Sequence, residues 1–536
     1  MVTRLLTDDT EFRKVLHGSQ EGFRRKRNTL RQLATMQFTI QDAHLSGKPL
    51  HVMYVDFENA FGSPDHGRLL EALEHQGYPR DALEVVRDLY PGNDMSKSPM
   101  MVSVRTAHGE TESFPIRRGT IQGDCLSPLL FNIFLNPLLC WLNTGEDGYK
   151  SETSGVWVAS PSFADDIALA SGTLTALRRQ LHKVTTYARW GGMALNVSKC
   201  AVSAINVPRL GPLTYKNLVI GGVQVPFLAA HEAYKYLGVM LRLDLNWGSQ
   251  FDMVYNQARE RAARLAAYPA TDVQAMQMAS EAIRPFLAYS APLGIYEEAH
   301  VEKFATLLLR MAKGACGLHT STRGAWAQLD RSRGGMGAVD MEEVVTTGVS
   351  DRLIADLSDE GGLGLQARGM LVALTDPLRY SDMKRLGGVY YHQLYQLARL
   401  AKSGLTLEGM AGNLHCGRAL RHGPTKSVIK EIQFGRGFGA GSMEKYMPLW
   451  FELGMVDPGC LVEPGVAGRA ARLVSVSEFQ KRVEPYALGG PRSLQTRAPS
   501  QDQVRTLKKL YHEHCWGGET LRSNSAACHW TSSRGN

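Results

Sequence analysis

Asp56, Asp165 and Asp166 are the residues of this 536-residue chain best placed by type and spacing to do chemistry. Asp56 ends the apolar run Val52-Met53-Tyr54-Val55 and is followed by Phe57-Glu58-Asn59-Ala60-Phe61. Asp165 and Asp166 follow Phe163-Ala164 inside a second apolar stretch. An unpaired carboxylate in apolar surroundings is expensive, and a bound cation removes that cost. Three carboxylates on neighbouring strands can hold two Mg²⁺ ions. In-line phosphoryl transfer uses such a pair to activate one oxygen and stabilise the other. Singly, each motif has an ordinary reading: strands often end in Asp, and paired acids often sit in turns or helix caps. Their order, and the elements between them, carry the argument.

Those elements are legible from periodicity. Residues 1–45 are basic and mostly helical in pattern, interrupted by Gln20-Glu21-Gly22-Phe23-Arg24-Arg25-Lys26-Arg27-Asn28-Thr29. His51 to Phe57 reads as a buried strand. Asp65 to Tyr90 has helical spacing at Leu69, Leu70, Leu73, Leu83, Val86 and Leu89, broken near Gly77-Tyr78-Pro79. Met101 to Arg105 and Thr111 to Ile116 form a predicted hairpin. Ser127 to Leu142 is a strongly apolar helix with Pro128 at its start. Trp157 to Ala170 reads as a strand pair carrying the two acids. Leu174 to Gly191 reads as a helix, and Ala194 to Ile205 as strand. This order predicts an α+β layer, a mostly antiparallel sheet backed by helices. Residues 250–315 change to Ala-, Met- and Arg-rich helical segments, a separate helical module.

Between the acids lies Arg118-Gly119-Thr120-Ile121-Gln122-Gly123-Asp124-Cys125-Leu126-Ser127-Pro128-Leu129-Leu130-Phe131-Asn132-Ile133. Its glycines let backbone approach a ligand closely. Asp56 with Phe61 five residues on, then this Gly-Gln-Gly segment, then Phe163-Ala164-Asp165-Asp166, in that order, resembles a reverse transcriptase. The type it resembles most is the non-LTR retrotransposon, or LINE-like, family. Gly192 to Cys200 resembles the family's segment after the catalytic hairpin, and Tyr234-Lys235-Tyr236-Leu237-Gly238-Val239 its primer grip. Gln20-Glu21-Gly22-Phe23-Arg24 resembles part of its fingers. The resemblance covers residues 1–245 well and 246–340 loosely.

The resemblance implies a right-hand polymerase: partial fingers at 1–45, a palm at 46–245, a helical thumb at 246–340 and a basic C-terminal region at 341–536. It implies an RNA-directed DNA polymerase, a nucleotidyltransferase that copies an RNA template from a DNA primer or target with dNTPs. Asp56, Asp165, Asp166 and the Phe57 carbonyl would ligate two Mg²⁺ ions. Phe61 would pack under the incoming sugar and exclude a 2′-hydroxyl. Gln122 and Gly123 would contact nucleotide and template. Lys199 would approach the triphosphate as proton donor to the leaving pyrophosphate. Tyr236, Leu237 and Gly238 would grip the primer, and Arg24, Arg25, Lys26 and Arg27 would meet nucleic acid.

Two departures stand out. The position after Ala60-Phe61 is usually Asp in the family and is Gly62 here, which predicts a cost in stability. The family's upstream triphosphate-binding fingers segment is not recognisable before Gln20, nor is an endonuclease, so the expectation is an N-terminally truncated polymerase. The rival expectation is a catalytically inactive remnant that binds nucleic acid. A maturase-like intron polymerase would carry a recognisable maturase helical domain, and none is evident.

The net charge of +8 is unevenly placed, with 22 Lys+Arg against 13 Asp+Glu from Thr375 to Asn536 and a near-neutral remainder. A basic tail points to a polyanionic partner, though it is equally the pattern of a solvated surface. Eight cysteines without a CxxC do not make a disulfide framework. No run of about 18 apolar residues or secretory h-region occurs, so a nuclear or cytoplasmic protein off the membrane is expected. In the tail, His512, His514, Cys515, Cys528 and His529 are spaced wrongly for a complete four-ligand zinc site. Trp516 among basic residues could stack on a base.

Overall fold

A computed structural model of the chain describes residues 2–92, 98–208, 211–266, 271–296, 298–315 and 337–373. It also describes several positions between 389 and 400, and the short pair 462–463 and 472–473. The chain divides into two compact units, one of residues 1–43 and 48–246, the other comprising 44–47 and the chain from 247 onward.

The first unit opens with α1 (Val2–Phe12) and α2 (Thr29–Ser46), then β1 (Leu50–Val55) and β2 (Phe57–Glu58). Helices α3 (His66–His75) and α4 (Arg80–Leu89) follow, separated at Gly77-Tyr78-Pro79. The small pairs β3 (Met101–Val102) with β6 (Phe114–Pro115) and β4 (Arg105–Thr106) with β5 (Gly109–Glu110) make the expected hairpin. Next come α5 (Ser127–Leu142), β7 (Tyr149–Lys150), β8 (Trp157–Val158), β9 (Ser162–Phe163), β10 (Asp166–Ser171) and α6 (Leu174–Gly191). The unit closes with β11 (Ala194–Leu195), β12 (Ala201–Ile205), β13 (Val219–Ile220), β14 (Val223–Gln224), β15 (Phe227–Leu228), β16 (Tyr234–Tyr236) and β17 (Val239–Leu241).

The central sheet has the order β15-β12-β1-β10-β9. β1 runs antiparallel to both β10 and β12, and only the β12–β15 pair is parallel. Every residue of β1 is buried, which is why its sequence is a continuous apolar run rather than an alternating one. Helices α3, α5 and α6 build the layer behind this sheet, with Leu130, Phe131, Phe134 and Leu138 of α5 in the same core as Met53, Val55, Ile167 and Leu169. The helix ends are set locally. Asp65 caps α3 by accepting from Arg68 N at 3.1 Å, and Thr173 caps α6 by accepting from Ala176 N at 3.2 Å. Gly192 stops α6 in the left-handed conformation.

The second unit is helical where it is described: α7 (Gly248–Ala266), α8 (Asp272–Ala282), α9 (Arg284–Ser290), α10 (Glu298–Ala315), α11 (Met341–Ser358) and α12 (Gly362–Ala373). Phe251, Leu287, Tyr296, Phe304 and Met341 share its core. Among the described residues no helix is long and apolar enough to cross a membrane.

Candidate active site

The β1–β10 pairing brings the three acids together. Val55 lies opposite Ile167, so Asp56, one residue later, faces Asp166, one residue earlier on the antiparallel partner. Phe163 pairs with Asp166, which leaves Ala164 and Asp165 as the two turn residues between β9 and β10. Asp165 therefore leads the turn into the same strand end. Their charges act on one another. Burial, then Asp165, then Asp56 push the Asp166 carboxyl up to about 6. Burial also raises Asp165; Asp56 adds to the rise, and Lys199 opposes it.

A second loop grips Asp56 from behind. Asn196 N donates to the Asp56 carbonyl at 2.9 Å, and Asp56 N donates to Cys200 Sγ at 3.5 Å. The turn from Asn196 to Cys200 thereby carries the exposed Lys199 ammonium to 3.8 Å from Asp56 Oδ1. Tyr234 holds the same loop, donating its hydroxyl to the Lys199 carbonyl at 2.7 Å. Its ring stacks on Tyr54, centroids 4.1 Å apart. Burial raises the Tyr234 phenol above its ordinary value, and Cys200, Asp56 and Asp166 add to the rise.

Asp56 Oδ1 is buried and has no hydrogen-bond partner. A buried carboxylate oxygen with no hydrogen bond and only a long ion pair to the exposed Lys199, beside two further acids with raised proton affinity, is what a divalent cation would relieve. Among the described residues no three His, Cys, Asp or Glu side chains form a ready metal cage. Mg²⁺ seldom uses one: it binds one or two carboxylates and takes its other ligands from water and substrate phosphates. The carboxylate donors present are of the kind a hard divalent cation takes.

Phe57 is buried on β2, paired with Leu195 of β11. Phe61 lies in a short 3₁₀ turn, half-buried against Phe131. Thr120 N donates to the Phe61 carbonyl at 2.7 Å, which seats the Gly119–Gly123 segment beside it. Gln122 and Gly123 are exposed on that segment, Gly123 with φ +93°. Leu237 and Gly238 both have positive φ and form the two-residue turn of the β16–β17 hairpin. Tyr236 is buried beneath that turn, its hydroxyl accepting from Gln32 Nε2 at 2.9 Å.

The basic run is not uniformly free. Arg24 makes two 2.9 Å bonds to the Glu11 carboxylate, with its side chain only 7% exposed. Arg27 binds Glu21 at 2.9 Å and the Gly18 carbonyl at 2.9 Å. Arg25, paired with Asp8, and Lys26 are exposed. The first and last residues of the run thus tie the N-terminal segment together. At Gly62 the Asn59 side chain lies close against the backbone. A Cβ there would lie 2.3 Å from Asn59 Nδ2, so Asn59 already fills the space an acid would take. Sequence reading treated Tyr234 and Gln20 only as parts of motifs; both touch the site's loops through long-range contacts that no local spacing signals. The tail residues His512, His514, Cys515, Trp516, Cys528 and His529 lie outside the described residues.

Acids at paired strand ends, in a mostly antiparallel sheet backed by helices, are the arrangement that the sequence resemblance leads one to expect of a polymerase palm. Residues 1–241 match the family described as Reverse transcriptase (RNA-dependent DNA polymerase). The chain is similar to the Retrovirus-related Pol polyprotein from type-1 retrotransposable element R2 of Popillia japonica, 27% identical over 372 residues, 67% of this chain and 49% of that one. It is also similar to the Pol polyprotein from type-2 retrotransposable element R2DM of Drosophila melanogaster, 27% identical over 207 residues, 38% of this chain and 19% of that one. The resemblance is thus to non-LTR, LINE-like elements, and the chain spans about half the length of the first of these relatives. Among solved structures, apo telomerase from Candida tropicalis aligns with a TM-score of 0.35 and 11% identity over 77% of this chain and 59% of that one.

Proposed function

We propose that this chain is an RNA-directed DNA polymerase of a non-LTR retroelement, extending a primer 3′-hydroxyl with dNTPs on an RNA template. The observation that carries the reading is Asp56, its Oδ1 buried without a hydrogen bond and 3.8 Å from the Lys199 ammonium, at the strand end beside the Asp165-Asp166 turn. Two Mg²⁺ ions held by Asp56, Asp165, Asp166 and the Phe57 carbonyl would supply Lewis-acid activation of the hydroxyl and charge neutralisation on the phosphates.

The chain's own groups do the rest. Lys199, exposed beside Asp56, would give a proton to the departing pyrophosphate. Phe61, braced by Phe131, would close the space under the sugar against a 2′-hydroxyl. Gln122 and the Gly123 backbone would face nucleotide and template from their exposed turn. With Tyr236 buried, the primer grip would act through the backbone of Leu237 and Gly238. Arg25 and Lys26 would meet phosphates, while Arg24 and Arg27 hold the segment in place. The helices of 246–340 are read as the thumb.

Primer extension by purified protein on an RNA template tests the reading. Extension is expected with dNTPs and Mg²⁺ and should vanish in Asp165→Asn. Folded wild-type protein that extends no primer overturns it.

A further inference from the structure

The turn that carries Asp165 is strained, and its support comes from elsewhere in the chain. Ala164 is the first residue of the two-residue turn and has φ +53°. That position usually belongs to glycine, because a Cβ at positive φ crowds the following carbonyl. Ala164 is buried, so water does not satisfy its backbone.

Gln20 satisfies it. This fully buried side chain accepts from Ala164 N at 2.7 Å and donates to the Ala164 carbonyl at 3.2 Å. One amide thus closes both backbone groups of the strained residue, fixing its plane as well as its position. The segment around Gln20 lies along β9 as an added strand: Glu21 N donates to the Ser162 carbonyl at 2.9 Å, and Ser162 N to the Ser19 carbonyl at 3.0 Å. Gly22 N donates back to Gln20 Oε1 at 2.8 Å. A Cβ on Gly22 would lie 2.3 Å from Ala164 N, so only glycine permits this approach. The clamp is anchored in the core, because Asn132 of α5 donates to the Gly22 carbonyl at 2.7 Å.

We infer that Gln20 is a positioning residue for the metal-binding carboxylates, holding the Ala164 turn in the strained conformation that aims Asp165 and Asp166 at Asp56. The inference rests on the polymerase reading and adds to it a residue that contacts neither metal nor substrate. It explains why a polar amide is kept fully buried 144 residues from its partner. Leaving the backbone of a left-handed alanine unpaired would let the turn relax, and the two acids would leave their register with Asp56.

The test measures Mn²⁺ binding by electron paramagnetic resonance on the full chain, alongside primer extension and duplex affinity. Gln20→Met keeps the volume and removes the hydrogen bonds. It should weaken Mn²⁺ binding by about 10- to 100-fold, the range for lost outer-shell partners, with duplex affinity unchanged. Ala164→Gly in the same background removes the strain that the clamp resists, and should restore most of the Mn²⁺ affinity. Asp165→Asn is the control that removes a ligand. Wild-type protein without specific Mn²⁺ binding overturns both the polymerase reading and the clamp. Equal Mn²⁺ binding by wild type and Gln20→Met overturns the clamp alone. If Gln20→Met does not fold, the double variant decides. Recovery of folding and metal binding together supports the inference; recovery of folding alone, or of neither, overturns it.

Discussion

The ring of Phe61 lies on the ring of Phe131, centroids 4.6 Å apart and planes 25° from parallel. Phe131 is fully buried on α5, so Phe61 takes its position from the rigid core rather than from its own short turn. Phe23 meets Phe61 edge-on at 6.2 Å. A side chain held this way acts as a fixed wall, which a steric filter for the sugar requires. Phe61→Ala should raise rNTP use relative to dNTP use by about tenfold or more, equivalent to about 1.4 kcal/mol of lost discrimination. Competing incorporation of the two nucleotide types measures this, and an unchanged ratio retires the filter.

Removing the acids should separate chemistry from binding. Asp165→Asn with Asp166→Asn should abolish primer extension and leave duplex affinity intact, because on the proposed reading the carboxylates would handle metal whereas basic residues would meet phosphates. Affinity should fall with salt, log against log, with a slope of about −0.9 per phosphate contacted. Replacing Arg505, Lys508 and Lys509 by Gln should make that slope shallower by about one for each residue that contacts a phosphate. A salt titration of both proteins checks it, and identical slopes would show this part of the tail to be only solvated.

The raised carboxyls give a pH signature in metal-free protein. Asp166 in the fold has its carboxyl pushed up to about 6 from an ordinary 3.8, so between those values the native state holds more protons than the unfolded state. Stability from this group is then present at low pH and falls as pH rises through about 4 to 6. Asp166→Asn should therefore be more stable than wild type at pH 7 by on the order of 1–2 kcal/mol, allowing for partial solvent screening. The gap should close below about pH 4. Added Mg²⁺ should raise the melting temperature of wild type more than that of the variant. Denaturant melts across pH, with and without metal, read both effects; a variant less stable than wild type at pH 7 contradicts the argument.

Asp42 is a buried acid of the opposite kind. It accepts from Tyr149 Oη at 2.7 Å, Ser151 Oγ at 2.9 Å, Thr153 N at 2.8 Å, Thr153 Oγ1 at 2.7 Å and Glu152 N at 3.0 Å. Its charge is consumed in tying α2 to the loop after β7. Asp42→Ala should cost about 3–5 kcal/mol, because the donors it serves are left buried and unpaired. Equilibrium unfolding measures that loss, and a change below about 1 kcal/mol would mean the loop finds other partners.

Much of the site was legible along the chain because its signals are local. The bounds of α5 and α6 follow from apolar spacing, Pro128, the Thr173 cap and Gly192, each acting within a turn or two of its neighbours. The break between α3 and α4 is written in Gly77-Tyr78-Pro79 for the same reason. The acids stood out because an apolar strand ending in Asp and a paired acid flanked by apolar residues are costly arrangements, and their order across the chain gave them a common purpose.

Other features were decided only when distant segments met. Arg24 through Arg27 read as one basic run, yet the fold spends Arg24 on Glu11 and Arg27 on Glu21 and leaves Arg25 and Lys26 exposed. Tyr236 read as part of a primer grip; only the fold shows that its hydroxyl meets Gln32, 204 residues earlier, and that the ring is buried. The Asn59 side chain that lies against Gly62 is likewise placed by the fold of the turn. Periodicity and caps report which face of an element is apolar and where it stops. They carry no record of which partner a hydrogen-bonding side chain will find, since that depends on strand register and on the packing of elements more than a hundred residues apart. The sequence by itself named the acids, and the register of β1 against β10 set their strand ends side by side.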